Sequence, residues 1–213
     1  MKKSLLFLLS FIAAMTLVAG PSMAASVYFD PMVGGSRAIE IDPFSIKGDA
    51  DQYIVGLEIP VDKFILGFEY FQGTLAGQPD LGIEATDFDG YELKGGFNLL
   101  NNSVLKMDLI ANQFKQDFQS PEVKAEGTLV GADLSYKFSD KTYFKGSLGQ
   151  SINAEYDGSD ASILNYRFKL IYMFNRNISI AAGYRYYSID VENPFYNQKY
   201  VTSGPVLSLS YNL

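Results

Sequence analysis

The sequence predicts an all-β fold, an antiparallel up-and-down transmembrane β-barrel of about ten strands. Three observations support this prediction. Apolar and polar residues alternate in almost every segment of the chain, as they do in half-buried strands. Turn-forming residues interrupt these segments at regular intervals. After residue 25 no apolar run is long enough for a membrane-spanning helix, so an exported membrane protein of this sequence has to cross the bilayer with strands.

The N-terminus has the features of a secretory signal peptide. Lys2 and Lys3 precede an apolar stretch that ends at Ala19, and a Gly-Pro pair and small residues follow. A transmembrane anchor is the alternative, but the apolar stretch is short for a spanning helix. We therefore predict that residues 1–24 are removed and that residues 25–213 form a single exported domain.

The composition excludes several classes of function. The chain contains no Cys, which excludes disulfides, thiolate metal sites and a lipid-anchored cysteine. Removal of Lys2 and Lys3 with the signal peptide lowers the formal net charge from −7 to −9. Because a nucleic-acid-binding surface is basic, we predict no nucleic-acid partner.

Two kinds of connection alternate along the chain. Short polar breaks, typical of tight hairpin turns, occur at Pro60 to Lys63, Asn101 to Ser103, Ser139 to Lys141 and Asn175 to Asn177. Longer connections occur at Thr74 to Thr86, Gln119 to Lys124, Asp157 to Asp160 and Asp190 to Gln198. This alternation is typical of a transmembrane barrel, whose periplasmic turns are short and whose external connections are longer.

The segment SIAAGYRYYSID, Ser179 to Asp190, shows how the faces are assigned. Its apolar set includes Tyr184 and Tyr186, while Arg185 belongs to the other set. A strand separates these sets onto opposite faces, so Arg185 faces a wet interior while the tyrosines face lipid. Its planar guanidinium is suited to holding a carboxylate there.

The same alternation predicts a charged lumen. Opposite charges in a narrow space are expected to pair, because burying either sign alone is costly. The predicted lumen network consists of Glu58, Glu69, Glu92, Lys94, Lys106, Asp108, Asp133, Lys137, Lys145, Arg167, Lys169 and Arg185. Glu40 is assigned to the same face.

The strand count follows from the turns. Four hairpins give eight strands, and the run from Tyr200 to the C-terminus is a ninth. Closure with an even number requires a tenth, which we assign to Gly35 to Phe44, with Ile39 and Ile41 outward and Glu40 and Asp42 inward. Eight strands are the alternative, if the N-terminal region is a periplasmic peg.

A soluble secreted β-sandwich also alternates and is the alternative fold. Its outward face is polar and its inward face is filled with large apolar groups. Here the polar face carries both signs of charge together with Gly and Ser, which suits a narrow wet interior. The other face is rich in Leu, Ile, Phe and Tyr, which suits lipid and an aromatic band near the headgroups.

The chain ends with VLSLSYNL, in which Leu209, Tyr211 and Leu213 alternate with polar residues. This ending resembles the last strand of Gram-negative outer-membrane β-barrel proteins, which is read by the insertion machinery, although Leu213 replaces the usual terminal Phe. ISIAAGYRYYSID followed by SGPVLSLSYNL also resembles the C-terminal part of the YfaZ-type outer-membrane proteins. The resemblance implies an outer-membrane location. The implied partners are outer-membrane lipid and lipopolysaccharide, the barrel-insertion machinery and periplasmic chaperones, and we predict a monomer.

Three functions remain open for such a barrel. Side chains nearly fill a lumen of eight to ten strands, which favours a structural, plugged barrel over a narrow solute pore. Glycines on the lumen face are expected to leave some space, so a narrow solute pore is the alternative. These glycines are Gly56, Gly67, Gly90, Gly96, Gly131 and Gly149. Binding or adhesion through the external loops is the third possibility, since loops often carry function.

Catalysis is not predicted, and neither is a cofactor or a metal. The chain has no His, which removes the usual general base for a Ser nucleophile and the commonest metal ligand. The carboxylate pairs Asp87/Asp89 and Asp157/Asp160 are interpreted as solvated turn residues, because neither fits a calcium-binding loop.

Overall fold

The protein is a closed barrel of ten antiparallel strands. The computed structural model describes residues 25–41, 44–77, 85–119, 122–192 and 198–213. The strands are β1 (Ser26–Ile41), β2 (Phe44–Val61), β3 (Phe64–Leu75), β4 (Thr86–Asn101), β5 (Leu105–Gln119), β6 (Glu122–Lys137), β7 (Thr142–Tyr156), β8 (Ser159–Met173), β9 (Ile178–Val191) and β10 (Gln198–Asn212). Each strand pairs with its neighbours in sequence, and β1 pairs with β10 to close the barrel. The up-and-down barrel of ten strands is therefore confirmed.

The predicted signal peptide lies outside the described residues and stays a prediction. In the part of the chain that the structure describes, no helix is long and apolar enough to cross a bilayer.

The barrel has two distinct ends. Four short turns lie at the turn end, between β2 and β3, β4 and β5, β6 and β7, and β8 and β9. The N-terminus of β1 lies beside the C-terminus there, because the Leu213 N–H donates to the carbonyl of Ala25 at 2.8 Å. The opposite end is called the loop end.

Local chemistry explains the turns. The side-chain oxygens of Asn102 and Asn175 each accept two hydrogen bonds, from the backbone N–H of the first residue of the next strand and from that of the residue before it, at 2.8 to 2.9 Å. At the loop end Asp157 and Gly158 have φ values of 51° and 75°, as a two-residue hairpin turn requires. The longer connection predicted from Asp157 to Asp160 is therefore wrong, since strand pairing resumes at Ser159.

The first strand differs from the prediction in length and in face. It begins at Ser26 rather than Gly35, and Phe44 already belongs to β2. Glu40 is exposed on the outside, whereas Arg37, three residues earlier, is buried. Alternation from the start of the strand fails because one extra residue is inserted between Met32 and Gly35, which exchanges the faces after this point. The predicted position of Asp42 lies outside the described residues.

The polarity of the two faces also inverts along the barrel. Near the turn end the outer surface is apolar; examples are Phe64, Leu66, Leu170 and Leu209, each 54 to 57% exposed. Near the loop end the outer surface is polar, with exposed Asp87 on β4 and other charged residues on neighbouring strands. The apolar surface near the turn end forms an outer belt, which is expected to lie in lipid and to have a height of roughly 25 Å.

Inside the barrel the loop end is filled by a hydrophobic core. The loop-end core consists of Ala50, Ile54, Phe71, Leu75, Phe88, Phe114, Phe118, Val123, Ala125, Leu129, Ala154, Ile163, Ile189 and Val191. Tyr28, Tyr156, Ala161, Tyr187 and Tyr200 pack against it. Strands with polar outer residues thus enclose apolar side chains at this end, as in a soluble barrel.

Aromatic rings occupy the space that glycines leave in the lumen. A Cβ on Gly56 would lie 2.2 Å from the ring of Tyr28, and a Cβ on Gly90 would lie 2.6 Å from the ring of Phe71. The neighbouring rings therefore cover the glycine backbone directly. At these two positions glycine permits close packing and leaves no open channel, contrary to the expectation from the sequence.

Candidate functional site

A layer of charged side chains crosses the lumen between the loop-end core and the turn end. The charged layer is defined as Asp30, Glu58, Glu69, Glu92, Lys94, Asp133, Lys145, Arg167, Lys169 and Arg185. Acidic residues come mainly from β2 to β6, and basic residues mainly from β7 to β9. The two signs therefore face each other across the lumen.

Lys94 joins two carboxylates on the acidic side. Its Nζ donates to Glu58 at 3.0 Å and also to Asp133. Lys145 lies 3.3 Å from the same Glu58 carboxylate, and the hydroxyl of Ser147 donates to Asp133. The side chain of Lys94 is only 5% exposed, so its charge is compensated by protein groups rather than by water.

A second cluster joins β8 to β1 and β3. Arg167 pairs with Glu69, which also accepts a hydrogen bond from the hydroxyl of Tyr28. Lys169 pairs with Asp30, and its Nζ lies 5.3 Å from the centre of the Tyr28 ring. Asp30 is absent from the predicted lumen network because no strand is predicted before Gly35. The signal was present, since Tyr28 and Asp30 alternate with two apolar residues.

Arg185 lies in the lumen but forms no ion pair with a described residue. The side chain is 4% exposed, and its Nε and Nη1 have no hydrogen-bond partner in this part of the chain. Arg185 lies directly opposite Arg167 on the neighbouring strand, and Arg167 forms the ion pair with Glu69. The carboxylate contact predicted for Arg185 is therefore not formed with any described residue. Glu92, another residue of the predicted lumen network, accepts a hydrogen bond from the amide of Asn112.

The remaining predicted residues lie towards the turn end. Lys106 pairs with Asp108 at 3.2 Å, and the amide of Asn98 also donates to Asp108 at 2.6 Å. Lys137 pairs with Asp140 of the adjacent turn at 2.6 Å rather than with a carboxylate of the charged layer. The hydrogen bond and the charge of Lys137 lower the pKa of the exposed Asp140 carboxyl.

Two cavities bracket the charged layer. Towards the turn end lies a cavity of about 230 Å³, called the turn-end cup. Its lining residues are Ser26, Tyr28, Tyr143, Lys145, Ser147, Arg167, Lys169, Ile171, Met173, Ser179, Ala181, Ser208, Ser210 and Asn212. On the loop side, between Arg185, Glu92 and the rings of the loop-end core, a cavity of about 20 Å³ remains. That volume suffices for about one water molecule.

The carboxylate pairs singled out in the sequence do not form a metal site. Asp87 accepts a hydrogen bond from the hydroxyl of Thr74 at 2.7 Å, and Asp157 occupies a hairpin turn. Within the described ranges no three His, Cys, Asp or Glu side chains are grouped so that they could hold a metal ion.

Solved structures share this architecture. The outer-membrane protease OmpT from Escherichia coli aligns with a TM-score of 0.61 and 8% sequence identity, over 91% of this chain and 97% of that chain. The COG4313 outer-membrane channel from Pseudomonas putida F1 aligns with a TM-score of 0.54 and 13% identity, over 92% of this chain and 97% of that chain. The chain folds as an outer-membrane β-barrel. No protein-family model matches it, and no curated protein matches it in sequence.

The location follows from the same features. A closed barrel satisfies all backbone hydrogen bonds within lipid, and the apolar outer belt supplies the surface that lipid contacts. The predicted outer-membrane location is confirmed. At 8% and 13% identity these likenesses concern the fold alone, so no activity is transferred from them.

Proposed function

We propose that the protein is a sealed structural barrel of the outer membrane rather than a solute pore. The filled lumen at the loop end is the observation that carries the proposal. Phe88 and Phe114 are each 2% exposed, and Ile163 and Ala125 are fully buried. Well-packed apolar groups of this kind leave no continuous path for water or ions.

The charged layer closes the lumen further, on the turn-end side of the loop-end core. Lys145 and Arg167 join the acidic and basic sides of the lumen through direct ion pairs. An ion that entered from the turn end would have to break these pairs and then cross the loop-end core. Both steps are unfavourable, because they leave charge in an environment of low polarity.

The other functions have weaker support. The connection between β7 and β8 has only two residues, and the longer connections between β3 and β4 and between β9 and β10 lie partly outside the described residues, so adhesion through external loops stays a prediction. The OmpT fold is used by a protease, but this chain has no His, which is the commonest general base in enzymes. We infer no enzymatic activity. Membership of the YfaZ-type proteins stays a prediction.

The proposed partners follow from the location. The apolar belt contacts outer-membrane lipid and lipopolysaccharide, and insertion uses periplasmic chaperones and the insertion machinery, for which Leu209, Tyr211 and Leu213 are the proposed signal. All three side chains are about half exposed on the outer surface of the barrel. We place the turn end in the periplasm, because short turns lie on that side in barrels of this class.

Single-channel recording in a planar lipid bilayer tests the seal. The refolded mature protein is expected to insert without steady openings, and Arg185→Ala is expected to be equally silent because the loop-end core remains intact. Heat-modifiable migration of the same sample on a gel controls for folding. Steady conductance of the folded wild-type protein would contradict the proposal.

A further inference from the structure

The turn-end cup has a lining unlike the rest of the lumen. It is enclosed by β1 and by β7 to β10, and its rim includes Met173 and Asn212, the last residues of β8 and β10. The described lining contains three cationic side chains and seven hydroxyl groups but no carboxylate. The carboxylates that compensate these cations lie behind them, in the charged layer.

The cations share one wall of the cup. Lys145 and Lys169 are directly opposite each other on β7 and β8, and Arg167 faces Ser147 on the same two strands. Like charges at opposed positions destabilise a strand pair. Lys145 is held by Glu58 only at 3.3 Å, and its side chain is 32% exposed. An anion in the cup would contact this wall and relieve the repulsion.

The adjoining wall of the cup, formed by β9 and β10, carries hydroxyl groups. Ser208 and Ser210 on β10 adjoin Ser179 on β9, which pairs with Ser210. Ser208 is 6% exposed, yet its Oγ has no hydrogen-bond partner among the described residues. A buried hydroxyl without a partner is unfavourable, and structures normally avoid it. A ligand with oxygen acceptors in the cup would supply the missing partner.

We propose that the turn-end cup binds a small organic oxyanion, a carboxylate or a phosphate ester, from the periplasmic side. Lysine and arginine supply charge-assisted hydrogen bonds to its acidic group, and the serine wall binds its remaining oxygens. The volume of about 230 Å³ is below the range of about 300–1,000 Å³ for drug-sized ligands. The size therefore suits a ligand such as a sugar phosphate or a tricarboxylate.

This inference goes beyond the sealed barrel and does not depend on it. The cup would hold an anion whether or not the lumen conducts. A negative binding experiment therefore contradicts only the anion site, and steady conductance contradicts only the sealed barrel.

Isothermal titration calorimetry tests the proposal on the folded mature protein in a maltoside detergent, which carries no anionic group. The probes are inorganic phosphate, glucose 6-phosphate and citrate at constant ionic strength. Saturable binding of at least one probe is expected, and Lys145→Gln is expected to weaken it about tenfold. Preference for the phosphates or for citrate distinguishes the two ligand classes.

Two further variants separate binding from folding. Lys106→Gln changes a lysine that does not line the cup and should leave the affinity unchanged. Ser208→Ala should weaken binding several-fold without lowering the unfolding temperature, because the hydroxyl has no partner in the unliganded protein. Absence of saturable binding up to 20 mM of all three probes, or equal affinity in wild type and Lys145→Gln with normal heat-modifiable folding, would overturn the proposal.

Discussion

Replacement of Lys94 by methionine is expected to lower the free energy of unfolding by about 3–5 kcal/mol, because it leaves the buried Asp133 carboxylate without its cation and removes one of the two lysines that contact Glu58. Glu58 and Asp133 both contact Lys94, and the side chain of Asp133 is only 3% exposed. Urea titration of the protein refolded into lipid vesicles measures the loss. At acidic pH the difference from wild type should shrink, because protonation removes the negative charges that the variant leaves uncompensated.

Lys106→Met is the matched control for this variant. It removes a lysine of the same lumen whose side chain is 32% exposed and whose partner is Asp108. Partly exposed ion pairs of this kind contribute only about 0–1 kcal/mol. Equal urea midpoints for the two variants would show that the ion pairs of Lys94 do not stabilise the barrel.

Phe114→Ala is expected to lower the free energy of unfolding by about 3–5 kcal/mol, since it creates a cavity in a well-packed core. Phe114 lies in the loop-end core and is 2% exposed. The control is Phe168→Ala, which removes a ring that is 45% exposed on the outer belt. Urea titration of both variants should show the larger loss for Phe114. A larger loss for Phe168 would contradict a packed interior at the loop end.

The sequence predicted the strands and turns well because both signals are local. Period-two alternation in β4, for example, separates Tyr91 and Leu93 from Glu92 and Lys94, and the structure places the first pair outside and the second pair in the lumen. The Asn residues of the short turns bond to their own turn, so their role is visible in the sequence itself. The count of ten strands followed from these turns.

The inversion of polarity was not predicted, because alternation separates two faces without saying which one is inside. In β5 the outer face changes from Leu109 to exposed Gln113, while the inner face changes from Asp108 to Phe114. Assigning apolar residues to lipid along the whole strand hid this change. The same assignment placed Ile39 outside and therefore Glu40 inside, whereas Glu40 is exposed on the outer surface near the loop end.

The partners across the lumen were beyond sequence reasoning for a different reason. Lys169 and Asp30 are separated by 139 residues and meet only because β1 closes the barrel against β10. Alternation states which side chains enter the lumen but not the height at which each one lies. Arg185 illustrates the limit, since its neighbour Arg167 takes the carboxylate that lies within reach.

Thiol labelling across a membrane tests the sealed lumen most directly, because the natural chain has no Cys. Ser210→Cys places a thiol in the turn-end cup, and Asp157→Cys marks the loop end. In oriented proteoliposomes, a small membrane-impermeant reagent on the loop-end side should label Asp157→Cys and leave Ser210→Cys unlabelled. The same reagent on the turn-end side should label Ser210→Cys. Labelling of Ser210→Cys from the loop-end side would show a continuous path through the barrel and contradict the sealed lumen.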